Sequence, residues 1–101
     1  MHAVINRLKL ATPVDPAVFA RAQEELPPRV AEVDGLRAFH VMRVAEDELV
    51  VLILADRAEA LDELRDRVGN AWMREHIVPH LAGGTERMIA EGLVSWDRAA
   101  G

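Results

Sequence analysis

Residues 36–55 read LRAFHVMRVAEDELVVLILA, and the reading of this stretch decides the rest. Residues 36–44 form a strand, and Ala45-Glu46-Asp47-Glu48 is a polar hairpin loop. Residues 49–55, LVVLILA, form the next strand, which is apolar on both faces. A strand of that kind sits centrally in its sheet, with something covering each side.

The segments on either side of the hairpin repeat one arrangement. Ahead of it, residues 3–10 alternate: Val4, Asn6, Leu8 and Leu10 share one face, Ile5, Arg7 and Lys9 the other. Asn6 is the polar exception on an otherwise apolar face. A helix follows. Asp15 is its N-cap, Pro16 its first residue, and Val14 with Phe19 suits a hydrophobic staple. Val18, Ala22 and Leu26 carry the apolar stripe. Pro27-Pro28 predicts a kink or break, with a last helical piece over 28–33 and a turn at Asp34-Gly35.

Behind the hairpin, Asp56 and Glu59 have capping-box spacing, and Leu61, Leu64 and Val68 recur at helical spacing. Gly69 is read as the end of that helix and Asn70 as the cap of a second piece over 71–78, stopped by Pro79. Gly83-Gly84 is a flexible joint. Residues 86–95 form a fourth strand, with Gly92 marking a bulge or a close backbone approach. A short tail runs from Trp96 to Gly101.

The order is strand, helix, strand, strand, helix, strand. This predicts an α+β, ferredoxin-like βαββαβ sandwich: a four-stranded antiparallel sheet with both helices on one face. The whole chain, 1–101, is a single domain. The helices cover one face, yet the third strand is apolar on the other as well. A second copy of the chain is the economical cover, which predicts a homodimer joined through the sheet face.

Composition excludes several classes. The net charge of −5, with basic residues scattered singly, argues against nucleic acid and against an anionic membrane surface. The absence of cysteine removes disulfides and thiolate metal sites. No apolar run reaches the length of a membrane span, and no signal peptide opens the chain, so the cytoplasm is the expected location. His76 and His80 have the spacing of helical metal ligands, but Pro79 lies between them and no third ligand accompanies them, so no metal site is assigned.

The order of elements, Asn6 in the first strand, VDGLRAFHVMRV after the first helix and NAWMREHIVPHL in the second helical stretch resemble the dimeric α/β-barrel superfamily. Within it, the chain looks like the antibiotic-biosynthesis-monooxygenase-like proteins, over about residues 3–95. The resemblance implies a dimeric α/β barrel. It also implies a cofactor-independent monooxygenase acting on a small phenol- or quinol-type aromatic, with no cofactor. Haem-degrading members resemble the chain in a first-strand Asn, matching Asn6, and a late-helix His, nearest to His76. Their functional Trp falls where this sequence has Leu64, and Trp72 lies about two turns later, which points away from haem.

The residue chemistry is compatible with that implication. Asn6 has an amide that can hold a hydroxyl or a developing oxyanion. His40 and His76 carry imidazoles, a side chain that can accept a proton. Trp72 and His76 lie four apart on one helix face, so an indole can lie against a flat ring beside an imidazole. The candidate catalytic set is therefore Asn6, His76 and His40, and the candidate substrate contacts are Trp72, Met42 and Met73. All are expected in one cavity between sheet and helices. The alternative is a non-catalytic ligand-binding or structural dimeric module whose cavity is filled by Met and Leu side chains. Trp96 is read as an interface residue.

Overall fold

The computed structural model describes residues 1–98, so the last three residues of the predicted tail lie outside the described residues. Four strands, β1 (His2–Lys9), β2 (Leu36–Ala45), β3 (Glu48–Ala55) and β4 (Glu86–Glu91), form one antiparallel sheet in the order β2-β3-β1-β4. Helix α1 (Pro16–Val30) joins β1 to β2. Helices α2 (Ala58–Leu64) and α3 (Asn70–His76), separated by a π-helical turn over Arg65–Gly69, join β3 to β4. This is the predicted ferredoxin-like sandwich, with the doubly apolar strand β3 inside the sheet.

Register decides which side chains share a face. Val41 pairs with Val51, Val51 with Asn6, and Asn6 with Arg87. That row, with the Phe39–Ile53–Val4–Ile89 row beside it, belongs to the inner face. There Val4, Leu8, Leu49 and Val51 are buried under the helices with Leu61, Leu64, Val68 and Trp72. Each fully buried side chain of Leu size contributes about 1.5–3 kcal/mol by leaving water. The neighbouring row, His40–Leu52–Ile5–Met88, belongs to the outer face. Among the described residues no helix covers it.

Local chemistry explains most element ends. Asp15 Oδ1 accepts from the Ala17 N–H at 2.9 Å, and Pro16 occupies the first helical position. The predicted break at Pro27-Pro28 does not occur, and α1 runs on to Val30. Both prolines sit near the C-terminal end. The carbonyls they leave without an N–H belong to Gln23 and Glu24, which face water, so the loss costs little. Asp56 does not cap α2. It pairs with Arg37 at 3.1 Å, leaving at the cap position Arg57, whose side chain makes no capping hydrogen bond to the helix. Gly35 turns the chain into β2 at φ 86°.

Gly69 does not end the second helix. Its φ is −62°, and the chain continues through the π turn into α3. The buried positions Leu61, Leu64, Val68 and Trp72 follow at intervals of three and four residues, the spacing of one helix face, and the widened turn over Arg65–Gly69 lies among them. Strand β4 ends at Glu91 rather than at 95. The Gly92 N–H then donates to the Met1 carbonyl at 2.8 Å, the close backbone approach expected at that glycine. Trp96 is 78 % exposed, with the Arg98 guanidinium carbon 5.1 Å from its ring centroid.

Candidate functional site

Two voids lie between the sheet and the helices. The inner cavity is about 90 Å³. Its floor is Val4, Asn6, Val51 and Arg87 on the sheet, and its roof comes from Leu64, Gly69, Asn70, Trp72 and Met73. The outer groove is about 330 Å³ and runs between α1 and β2, from Phe19 and Gln23 to Phe39 and Arg43. Leu26, Phe39, Val41 and Trp72 line both.

Asn6 projects onto the helix-covered face because its strand alternates in phase with Val4 and Leu8. Its side-chain amide makes no hydrogen bond among the described residues. An amide is a strong donor and acceptor, and one left without a protein partner on an apolar face must find water or a ligand. Opposite it on β4, the Arg87 guanidinium borders the same cavity and forms no ion pair among the described residues. Arg65 lines the cavity too, but it is held by Asp66 at 3.1 Å and Asp62 at 3.6 Å. The hydrogen bond to Asp66, then the attraction of Asp66, raises the Arg65 pKa above its ordinary value, so that charge is permanent.

Trp72 is buried at 8 % exposure and sits where the two voids meet. It stands four residues after the buried Val68 and eleven after the buried Leu61, the spacing of one helix face, which holds it toward the sheet. His76, one turn further on, holds its ring centroid 5.6 Å from that of Trp72, with the planes tilted by 46°. Its side chain is 25 % exposed, and Nε2 lies 3.7 Å from a Glu75 carboxylate oxygen.

The expectation of one shared cavity therefore needs correction. Asn6, Trp72 and Met73 meet in the inner cavity. His40 and Met42 do not reach it: alternation puts them on the face opposite Val41, and they border the outer groove along β2. His76 lines neither void and touches the site only through Trp72. His80 is separated from α3 by the 3₁₀ turn Val78–His80 and hydrogen-bonds Thr12 at 2.9 Å. Among the described residues, no three His, Asp or Glu side chains are grouped to hold a metal.

Arg87 and Asn70 were not among the candidate site residues of the sequence. Arg87 is one charge in a strand of mixed polarity. Only its register against Asn6 reveals its place. Asn70 read as a helix cap, and only the continuity of the helix turns it toward the cavity. Leu64, where haem-degrading proteins carry their Trp, is 1 % exposed in the cavity wall, and the inner cavity is far too small for a haem.

Solved structures with this fold span almost the whole chain. A protein of unknown function from Nitrosomonas europaea superposes with a TM-score of 0.76 at 15% identity, over 97% of this chain and 94% of its own. A second Nitrosomonas europaea protein, provisionally described as an antibiotic biosynthesis monooxygenase, gives 0.73 at 16% identity, over 93% of this chain and 100% of its own. SnoaB, a cofactor-independent oxygenase from Streptomyces nogalater, gives 0.68 at 12% identity, over 93% and 94%. No protein-family model matches the chain, and no curated protein matches it in sequence. The fold is that of the antibiotic-biosynthesis-monooxygenase-like proteins, as the sequence resemblance implied, and at these identities the likeness is one of fold.

Proposed function

We propose that the protein is a homodimeric, cofactor-independent monooxygenase acting on a flat phenol- or quinol-type aromatic. The observation that carries this reading is the unpartnered amide of Asn6 at the floor of an apolar cavity roofed by Trp72. A phenol whose oxygen reaches that amide passes its proton, by way of water, to an imidazole, His40 at the groove or His76 behind Trp72. The resulting anion is held at oxygen by the Asn6 amide, with the Arg87 charge nearby. The electron-rich ring carbon then bonds to O2. The peroxide O–O bond breaks, one oxygen stays as a ring carbonyl and the other leaves as water. The substrate supplies the electrons that reduce that oxygen, so no cofactor is required.

The test is oxygen consumption with one- and two-ring phenols and quinols. Turnover above background is expected, falling at least tenfold in Asn6→Ala and falling in one of His40→Ala and His76→Ala. One observation favours the second reading, ligand binding without turnover: neither imidazole lines the inner cavity. Binding of the same aromatics with no oxygen consumption would select that reading and remove the enzymatic one.

A further inference from the structure

The room and the polar chemistry of this site lie on opposite sides of one partition. Asn6 and Arg87 face a cavity of about 90 Å³, while the space, about 330 Å³, lies in the groove between α1 and β2. A cavity of about 150 Å³ takes one benzene, and ligand pockets generally measure about 300–1,000 Å³. The inner cavity, at about 90 Å³, is smaller than either. The groove is large enough, but Asn6 does not line it. Leu26 from α1, Phe39 and Val41 from β2 and Trp72 from α3 line both voids and form the partition between them. All four are apolar, and two are aromatic. No backbone hydrogen bond has to break for their side chains to move.

We propose that the outer groove is the larger subsite of one two-compartment binding site. A fused-ring aromatic enters between α1 and β2 and lies across Trp72 and Phe39. By displacing the partition it delivers its phenolic oxygen to Asn6. The apolar walls at Phe19, Ala22 and Leu26 suit the rings, and Gln23 with Arg43 gives the groove a polar rim for oxygen substituents further along the molecule. The inference rests on the aromatic-substrate reading above, and it adds a minimum size and a route. It also makes Leu26 and Phe39 determinants of specificity.

The test compares phenol, with one ring, and 2-naphthol, with two, by isothermal titration calorimetry on the full chain. Gln23→Phe fills the groove from an exposed position that the core does not depend on, and thermal unfolding checks that the fold is kept. Asn6→Ala removes the inner amide. The expected result is that 2-naphthol binds at least tenfold more tightly than phenol. Gln23→Phe and Asn6→Ala should each weaken 2-naphthol at least tenfold. If 2-naphthol is indifferent to Gln23→Phe but lost in Asn6→Ala, the inner cavity is the whole site; the two-compartment inference then falls and the aromatic-substrate reading survives. If it is lost in Gln23→Phe but indifferent to Asn6→Ala, the groove ligand does not reach the amide and the inference again falls. Failure of both probes to bind the unaltered protein overturns both.

Discussion

Asn6 sits between Val4 and Leu8 on the inner face, where each apolar neighbour contributes by leaving water and the amide does not. Asn6→Leu is therefore expected to stabilise the protein by about 1 kcal/mol, through added apolar burial at a half-buried position. The gain is read as a higher urea midpoint with an unchanged slope. The same substitution should abolish oxygen consumption. A lower midpoint would mean that the amide is structural. Asn6 was legible in the sequence because alternation within one strand exposes an exception to it. The separation of Asn6 from His40 was not legible. Alternation sets parity inside each strand, but the phase between strands is set by hydrogen-bond register, and only the Asn6–Val51–Val41 row shows that His40 faces the other way.

At the scale of elements, the order of strands and helices was readable throughout, and the errors fell at punctuation residues. Gly69 and Asn70 have the composition of a helix end and a new cap, yet tertiary packing of Trp72 and Ile77 pulls the chain through a continuous, locally widened helix. Pro27-Pro28 has the composition of a break, yet so near a helix end it disturbs almost nothing. The two kinds of glycine give a test with opposite signs. A methyl at Gly69 would meet only the Leu64 carbonyl oxygen, at an ordinary 3.6 Å, and the backbone there is already helical. Gly69→Ala should stabilise by about 0.4–1 kcal/mol, by reducing the freedom of the unfolded chain. At Gly35, φ is 86° and a methyl would come within 2.8 Å of Arg57 Nε, whose guanidinium donates to the Asp34 carbonyl. Gly35→Ala should destabilise by about 1–2 kcal/mol. Chemical denaturation of the two variants side by side checks both, and equal signs would refute the account of the widened turn or of the Gly35 corner.

For the whole molecule the open matter is the outer face. Its central row, His40–Leu52–Ile5–Met88, crosses all four strands, with Ala38, Leu54, Ala3 and Ala90 in the next row. Met42 and Met88 are each more than 40 % exposed, so large apolar side chains stand in water on the isolated chain. The charged residues of this face gather at one end, where Arg7 pairs with Glu48 at 2.8 Å and approaches Glu86 at 3.9 Å. An apolar centre with charges at its margin is the pattern of an interface. A second copy supplies the same pattern turned by a two-fold axis. Light scattering should therefore give two copies of the 11.2 kDa chain at micromolar concentration. Leu52→Asp places a charge at the centre of the proposed interface, on the side of β3 away from the core. It should raise the dissociation constant at least about 30-fold, the effect of a hot-spot residue, and release monomers. The helix-facing core is untouched by this change, so the circular dichroism of the variant should match that of the unaltered chain. A monomeric unaltered protein would remove the dimer and leave the outer face without a cover. A Leu52→Asp variant that stays dimeric would place the interface elsewhere on the molecule.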